Sequence, residues 1–320
     1  MRLLVTGGAG FIGSNFVRMI SNGAIDGISE LRVLDKLTYA GNLENLREID
    51  SGSFEFIKGD ICDVDTVNRV SNHVDAIINF AAESHVDKSI SNPNDFVLSN
   101  VLGVQNLLNA SVYNDVGRFV QVSTDEVYGS VSSGFSLEAD PILPNSPYSA
   151  SKASAELLVR SYHKTYGLDT LITRSSNNYG PYQFPEKLIP LFITKLIKDK
   201  KVPIYGSGKN VRDWIFVEEN CSAINKVMRS GKAGEIYNIG GNQQFTNLEI
   251  TNLILELMNK DRSFIEFVRD RKGHDERYAL NTKKVAKEIG FVPKLQFRLG
   301  LEKTIDWYLR NEHWWRKLVV

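Results

Sequence analysis

The chain has 320 residues, and its 38 basic and 38 acidic side chains give a formal net charge of zero. This length allows a large core in one or two domains, and the charge balance provides no overall field that would recruit nucleic acid or a membrane. The spacing of the two cysteines, Cys62 and Cys221, suggests neither a disulfide framework nor a zinc site, so we expect no metal. No segment has the pattern of a signal peptide or a membrane span. We therefore expect a cytoplasmic protein whose partners are small molecules.

The first half of the chain alternates short β-branched or aromatic runs with longer helical patterns. This alternation predicts an α/β fold with a Rossmann-type doubly wound parallel sheet. The predicted strands are RLLVT (2–6), LRVLD (31–35), FEFIK (54–58), AIINF (76–80), RFVQVS (118–123) and DTLITR (169–174). The predicted helices cover 10–21, 63–73, 95–114 and 148–166.

The pattern changes after residue 175. The segment NNYGPYQFPEKLIP (177–190) contains three prolines, so it cannot form a regular helix or central strand, and such irregular segments often line sites. Further strands are predicted at VRDWIFV and EIYNIG, and amphipathic helices at 246–260 and 299–311. We therefore expect a Rossmann domain of residues 1–176, to which 211–242 return, and a smaller mixed α/β substrate domain of 177–210 and 243–320.

A glycine fingerprint, VTGGAGFIGSNF (5–16), follows the first strand and opens the first helix. Gly7 permits a sharp turn, Gly10 lets the backbone approach a pyrophosphate, and Gly13 lets the helix lie close to the sheet. Asp35 ends the second strand, where a carboxylate accepts ribose hydroxyl groups and repels a 2′-phosphate. The alternative is a glycine-rich turn that binds no ligand. The order of the features, a strand, the glycines, a helix and then an acidic residue, favours NAD binding.

Tyr148 and Lys152 lie four residues apart at the start of a predicted helix, so their side chains share a face. Tyr205 and Lys209 have the same spacing, but two intervening glycines make a helix there unfavourable. Lys152 and a cationic nicotinamide ring would both favour the phenolate of Tyr148, making it a plausible base for a sugar hydroxyl. Thr124 could hydrogen-bond the same hydroxyl group.

Six motifs together carry a family resemblance: TGGAGFIG, FAAESHVDKSI, STDEVYG, YSASK, NNYGPYQFPEKLIP and NVRDWI. They occur in the order found in dTDP-glucose 4,6-dehydratases, which are extended short-chain dehydrogenases/reductases. The resemblance runs from Arg2 to the C-terminal helix. It implies a hydro-lyase that binds NAD, takes dTDP-glucose as substrate and yields dTDP-4-keto-6-deoxyglucose in deoxysugar biosynthesis.

The resemblance also implies a mechanism for the acidic pair in STDEVYG. Hydride passes from C4 of the sugar to NAD⁺ while Tyr148 takes the hydroxyl proton, and the resulting ketone acidifies C5. Glu126 then removes the C5 proton, and protonated Asp125 assists departure of the 6-hydroxyl group. Finally hydride returns to C6 and a proton returns to C5. Adjacent residues of a strand point to opposite faces, so we predict that Asp125 and Glu126 lie just beyond the strand end.

The remaining site residues follow from the resemblance. Those expected at the cofactor, besides the glycines, Asp35, Tyr148 and Lys152, are Phe11, Ile12, Lys36, Thr38, Asp60, Ile61, Phe80, Ala81, Ala82, Ser84, Asn100 and Asn178. Those expected at the substrate, besides Thr124, Asp125 and Glu126, are Ser84, Asn177, Lys187, Leu188, Pro203, Tyr205, Arg212, Asn247, Arg271, His274 and Tyr278. His85 is interpreted as structural. Family members form homodimers, and helices 95–114 and 148–166 would serve as the interface, although their apolar residues equally fit packing on the sheet.

Two other functions remain open at this stage. A nucleotide-sugar 4-epimerase or decarboxylase would use the same Tyr148 and Lys152 for oxidation, but an epimerase needs no second acid and base, and the decarboxylase typically keeps only the glutamate. Asp125 therefore discriminates against both. A catalytically silent dinucleotide-binding protein is the alternative from another class, and the complete set of polar site residues argues against it.

Overall fold

A seven-stranded parallel sheet forms the centre of the structure, a computed structural model that describes residues 1–319. Its strands lie in the order β3-β2-β1-β4-β5-β6-β10, and neighbouring strands are parallel throughout. The bounds are β1 Arg2–Thr6, β2 Glu30–Asp35, β3 Glu55–Lys58, β4 Ala76–Asn79, β5 Arg118–Thr124, β6 Thr170–Ser175 and β10 Ile236–Ile239. The order reverses between β1 and β4, which is where doubly wound sheets bind ligands. The predicted Rossmann-type fold is confirmed.

Helices cover both faces of this sheet because its strands are apolar on both sides. In β1, Leu3 and Val5 belong to the core beneath α1 and α8, whereas Leu4 belongs to the core beneath α2, α5 and α6. The bounds of these helices are α1 Phe11–Ser21, α2 Val64–Ser71, α5 Gly103–Tyr113, α6 Pro147–Tyr166 and α8 Val217–Ser230. Two short helices, α3 Val86–Ser91 and α4 Asn94–Val97, follow β4, and α10 Lys283–Ile289 contacts α8 and β10.

A smaller mixed part lies beside the sheet and has an aromatic-rich core of its own. It contains a three-stranded sheet in the order β11-β9-β7 and a parallel pair, β12-β8. The strand bounds are β7 Asn177–Tyr179, β8 Val202–Tyr205, β9 Val211–Phe216, β11 Gln244–Thr246 and β12 Ile265–Val268, and the helices are α7 Leu188–Ile197, α9 Asn247–Leu257, α11 Phe297–Arg310 and α12 Glu312–Trp315. Of the two strands predicted in 211–242, β10 joins the main sheet and β9 the smaller one. The division into two domains stays a prediction.

The helix predicted over 95–114 is interrupted. It consists of α4, a π-helical segment Leu98–Leu102, and α5. The wide π-turn carries Asn100, which is buried and binds the chain that follows β4. A periodic sequence pattern does not report this extra residue in the turn, because a single π-turn shifts the apolar spacing by only one residue.

Within residues 1–319, no helix combines the length and apolar character that crossing a membrane requires.

Candidate active site

The glycine loop between β1 and α1 is shaped by close contacts with its neighbours. Gly7 has φ +67°, and a Cβ atom there would lie 2.5 Å from the Ala81 backbone nitrogen. A Cβ on Gly13 would collide with the Gly7 carbonyl oxygen. Gly10 precedes α1 and provides no side-chain cap, so the first amides of that helix stay available. This bare helix start fits the pyrophosphate of a dinucleotide.

Asp35 closes the opposite side of the loop at the end of β2. Its carboxyl oxygens accept hydrogen bonds from the backbone nitrogens of Ala9 (2.9 Å) and Leu37 (2.8 Å). Burial raises the pKa of Asp35, and these two backbone donors oppose that rise. Each carboxylate oxygen has a second lone pair, so the group can still accept a ribose hydroxyl.

A continuous cleft begins at this loop and runs along the carboxyl ends of β1, β4 and β5. All the residues predicted at the cofactor line it, except Asn100 and Asn178. Lys36 and Asp60 form an ion pair of 2.6 Å at its edge. The cleft also has lining residues that the sequence did not single out: Leu34, Ala40, Gly41, Gly59, Glu83, Ser99, Val122, Ser123, Gln183, Phe184 and Glu186.

The two exceptions lie close behind the cleft wall. Asn100 accepts from the Glu83 nitrogen (2.8 Å) and donates to the Glu83 carbonyl (3.0 Å) and to Ser151 Oγ (2.9 Å). Its amide thus holds the chain after β4 against the helix that carries Lys152. Asn178 donates to the Ser176 carbonyl, and its Oδ1 is buried with no partner within residues 1–319. Their expected contacts with the cofactor stay predictions.

The acidic pair lies just beyond β5, in a single 3₁₀ turn spanning Asp125–Tyr128, as predicted. The Thr124 hydroxyl caps this turn by accepting from the Glu126 nitrogen (3.2 Å). Gly129 ends the turn with φ +73°. Because the two acidic residues are in a turn rather than a strand, their side chains need not point to opposite faces.

The two carboxyl groups have different surroundings. Asp125 is 3% exposed; Oδ1 accepts from the Thr124 hydroxyl (3.2 Å), and Oδ2 has no partner within residues 1–319. Burial, and then the charge of Glu126, raise the pKa of Asp125 well above its ordinary value. Burial also raises the pKa of Glu126, but Lys187, Arg212 and Arg271 oppose that rise. Asp125 is therefore suited to donate a proton, and Glu126 to accept one.

Tyr148 and Lys152 occupy the first turns of α6. This helix begins with a Ser146–Ser149 capping box and Pro147, so the sequence fixes where it starts. Lys152 Nζ donates to the Val122 carbonyl (2.7 Å), and burial lowers its pKa to about 8. The pKa of Tyr148 is raised by burial and by Glu126. In the chain alone, the expected lowering of this pKa by Lys152 is therefore not seen.

Three cations from the smaller part of the molecule oppose the rise in the pKa of Glu126: Lys187, Arg212 and Arg271. Lys187 Nζ donates to the Ser84 carbonyl (2.7 Å), which ties the segment after β7 to the chain after β4. Arg212 is buried, donates to the Asp275 carbonyl (2.8 Å) and lies over the Tyr278 ring at 4.2 Å. Arg271 Nε is buried and has no partner within residues 1–319, so it is a donor available to a ligand.

The other residues predicted at the substrate have diverse local roles. His274 Nδ1 lies 2.7 Å from Asp270 Oδ1, and its ring meets the edge of Tyr205 at a centroid distance of 6.4 Å. Tyr278 donates to Asp275 Oδ2 (2.6 Å). The remaining four residues lie on elements of the smaller part, and their expected contacts with the substrate stay predictions: Asn177 on β7, Leu188 on α7, Pro203 on β8 and Asn247 on α9.

Glu186 is a site residue that sequence reasoning missed. It accepts from Tyr39 Oη (3.0 Å) and lies 3.5 Å from Lys88 Nζ and 3.7 Å from His85 Nε2. His85 also accepts from the Lys88 nitrogen as the cap of α3, in keeping with a structural histidine. The available signal for Glu186 was its position next to Lys187 in the irregular proline-rich segment.

Comparisons with known proteins agree with this geometry. The family model described as GDP-mannose 4,6 dehydratase matches residues 4–304. A dTDP-glucose 4,6-dehydratase of Streptomyces niveus is 50% identical over 99% of this chain and 96% of its own length. The chain belongs to the dTDP-glucose 4,6-dehydratase family.

Solved structures of relatives share the whole fold. The structure of DesIV, a dTDP-glucose 4,6-dehydratase of Streptomyces venezuelae, contains NAD and dTDP. The DesIV sequence is 52% identical to this chain, and the two structures match with a TM-score of 0.98 over 99% of this chain and 100% of DesIV. A UDP-glucose 4-epimerase of Thermotoga maritima is 29% identical, with a TM-score of 0.90 over 98% and 100% of the chains. The fold alone does not separate dehydratases from epimerases, so residues at the site must do so.

The lowered pKa of Lys152 predicts a pH-dependent stability. Between pH 8 and its ordinary pKa of 10.5, the unfolded chain binds more protons at this residue than the folded chain, so the free energy of unfolding rises with pH. We expect Lys152→Met to remove a rise of roughly 2 kcal/mol over this window. Urea unfolding of the cofactor-free proteins at a series of pH values measures the difference.

The exposed Lys200 provides the control, because Lys200→Met changes a side chain that stays in solvent. Parallel stability curves for the wild type and Lys152→Met would contradict the assigned environment of Lys152.

Proposed function

We propose that the protein is an NAD-dependent dTDP-glucose 4,6-dehydratase that converts dTDP-glucose to dTDP-4-keto-6-deoxyglucose. The observation that carries this proposal is the buried Asp125 carboxyl group beside Glu126, whose rise in pKa three cations oppose, at the end of a strand that borders the cofactor cleft. Net loss of water from a sugar requires both an acid and a base near the same bond. Asp125 and Glu126 meet that requirement.

Bound NAD supplies a hydride acceptor for C4 and a hydride donor for C6, so it is unchanged at the end. The glycine loop would hold its pyrophosphate and Asp35 its ribose. Lys152 contributes a positive charge beside the nicotinamide end of the cleft. Since the pKa of Tyr148 is raised in the chain alone, its deprotonation depends on added positive charge once the site is filled.

Removal of water then follows from the two carboxyl groups. The C4 ketone makes the C5 proton acidic; Glu126 takes that proton and would return it to C5 when hydride adds at C6. Asp125, whose pKa is raised by burial, would donate a proton to the departing 6-hydroxyl group. Thr124 would hydrogen-bond the C4 oxygen if its hydroxyl hydrogen turns away from Asp125 Oδ1, while its oxygen still caps the turn that carries both acids. No step needs a group that the chain and its cofactor do not supply.

The cations around Glu126 explain how the substrate is held. Lys187, Arg212 and Arg271 suit the two phosphates of a nucleoside diphosphate, which charge-assisted hydrogen bonds bind well. Ser84, at the junction between the cofactor cleft and Lys187, would contact the sugar. The remaining predicted substrate residues would form the walls of the sugar-nucleotide pocket.

An intramolecular label transfer tests the complete reaction. Purified protein given dTDP-glucose deuterated at C4, without added NAD, should release a product lighter by one water that carries deuterium on its C6 methyl group. Mass spectrometry and proton NMR measure both properties. Loss of the label to solvent, or unchanged mass with formation of the galactose isomer, would refute the dehydratase assignment, and UDP-glucose in parallel reports the nucleotide preference.

The acid and base roles predict a separation of steps. The double variant Asp125→Asn with Glu126→Gln should still oxidise C4, seen as absorbance of the reduced nicotinamide, but should lose water about 10²- to 10⁴-fold more slowly. Tyr148→Phe is the companion variant, because it removes the base for oxidation and should abolish the absorbance change. Full dehydration by the double variant would exclude these roles.

We also propose that the protein is a cytoplasmic homodimer. The support is an apolar surface, defined by Leu98, Leu102 and Leu157, which lies across the π-helical segment and α6 and remains exposed in the single chain. Exposed apolar residues of this size on adjacent helices suit an interface between copies. Cys62 and Cys221 are both free thiols, in keeping with a reducing compartment.

Charges placed on this surface should produce a monomer. We expect Leu102→Glu with Leu157→Glu to halve the mass measured by light scattering after size-exclusion chromatography, because a carboxylate in an apolar interface is costly. Leu309→Glu is the matched control: Leu309 is 47% exposed, compared with 41% for Leu102 and 53% for Leu157. A dimer that persists in the double variant would place the interface elsewhere.

A further inference from the structure

A buried asparagine connects the C-terminal helix with the glycine loop. Asn45 is 1% exposed and ends the short helical turn Leu43–Asn45. Its Nδ2 donates to the Ala9 carbonyl (2.8 Å), and its Oδ1 accepts from Trp314 Nε1 (2.8 Å). An indole N–H only donates and a carbonyl only accepts, so the orientation of the amide is determined by its partners.

Ala9 lies in the middle of the glycine loop and is held on both sides. Its nitrogen donates to Asp35 Oδ2 (2.9 Å), and its carbonyl also accepts from the Asn42 nitrogen (3.0 Å). The residue that follows is Gly10, which opens α1. The hydrogen bonds of Ala9 therefore set the position of the backbone that faces the pyrophosphate.

The connection crosses the fold rather than following the chain. Trp314 belongs to α12, 269 residues from Asn45, whereas the glycine loop belongs to the main sheet. A second contact, from Arg18 to the Asn45 carbonyl (2.7 Å), ties the same turn to α1. A glycine-rich loop loses much conformational entropy when it becomes ordered. Buried hydrogen bonds that order the loop before the ligand binds therefore strengthen binding of the ligand.

We propose that Trp314, acting through Asn45, is a positioning residue that holds the glycine loop in the conformation that binds the dinucleotide pyrophosphate. The C-terminal helix thereby sets how tightly the cofactor is retained. This inference rests on the proposed NAD-dependent function, and it concerns residues that contact neither the cofactor nor the substrate.

The chain offers a closely matched pair of variants. Trp314→Phe removes the indole N–H and keeps an aromatic ring in the core. Trp315→Phe, in the same helix, also removes a buried indole N–H. That group donates to the Tyr308 carbonyl (2.8 Å), whereas the Trp314 indole donates to Asn45. Both variants lose one buried hydrogen bond, so general destabilisation affects them alike.

The readout is the rate at which the NAD-loaded protein releases its cofactor. Released NAD is trapped by an excess of a second NAD-dependent enzyme, and its reduction is followed optically. We expect Trp314→Phe to release NAD about three- to tenfold faster than the wild type, the range that one hydrogen bond allows. Trp315→Phe should release it at the wild-type rate.

A double-mutant cycle tests whether Trp314 acts through Asn45. Asn45→Ala should also speed release, and adding Trp314→Phe to it should have no further effect. Hydrogen exchange of the Ala9 amide in the cofactor-free proteins should be faster in Trp314→Phe and unchanged in Trp315→Phe.

Three results would overturn the proposal: wild-type release by Trp314→Phe, equal acceleration by Trp315→Phe, or additive effects of Asn45→Ala and Trp314→Phe. Dehydration of dTDP-glucose by the wild type and by Trp315→Phe is measured alongside. Failure of the positioning role is thereby distinguished from failure of the proposed activity.

Discussion

Burial of the Asp125 carboxyl group is the constraint on which the site depends. A carboxyl group removed from water without a cationic partner keeps its proton, because the charged form loses more hydration than it regains. Within residues 1–319, this side chain accepts a hydrogen bond at one oxygen, from the Thr124 hydroxyl, and its second oxygen has no partner. Glu126 follows it directly in sequence, yet three cations favour its ionised form. Two residues of the same chemistry thus acquire opposite functions from their surroundings.

The parallel sheet makes these surroundings possible. Parallel strands bring their carboxyl ends to one edge, so the glycine loop after β1, the alanines after β4 and the last residues of β5 line a single cleft, and the acidic turn follows β5 at the same edge. The smaller part then contributes what the sheet lacks, a group of cations facing the acids. The cofactor cleft itself depends on both parts, because Gln183, Phe184, Glu186 and Lys187 line it together with the loops of the sheet.

Sequence patterns predicted the features that are local. The glycine spacing with Asp35, and Tyr148 one turn before Lys152, follow from backbone geometry and from a well-capped helix. The hydrogen bonds of Asn45 and Glu186 join residues far apart in sequence, and no local pattern reports such contacts. The expectation that Lys152 favours the phenolate of Tyr148 stays a prediction, because it concerns the site with its cofactor bound. In the chain alone, Lys152 Nζ donates to the Val122 carbonyl.

A cofactor that is regenerated in every turnover has no need to leave, and the walls of the cleft suit that requirement. Tyr39, from the segment after β2, donates to Glu186, and Lys187 donates to the carbonyl of Ser84. These two hydrogen bonds join the segments after β2 and β4 to the segment after β7 across the cleft. Opening the cleft there would break both of them. An enzyme that exchanges its nicotinamide each cycle would be slowed by such a closure. For a reaction in which hydride leaves C4 and returns to C6 of the same sugar, such a closure would keep the reduced cofactor beside the sugar until elimination is complete.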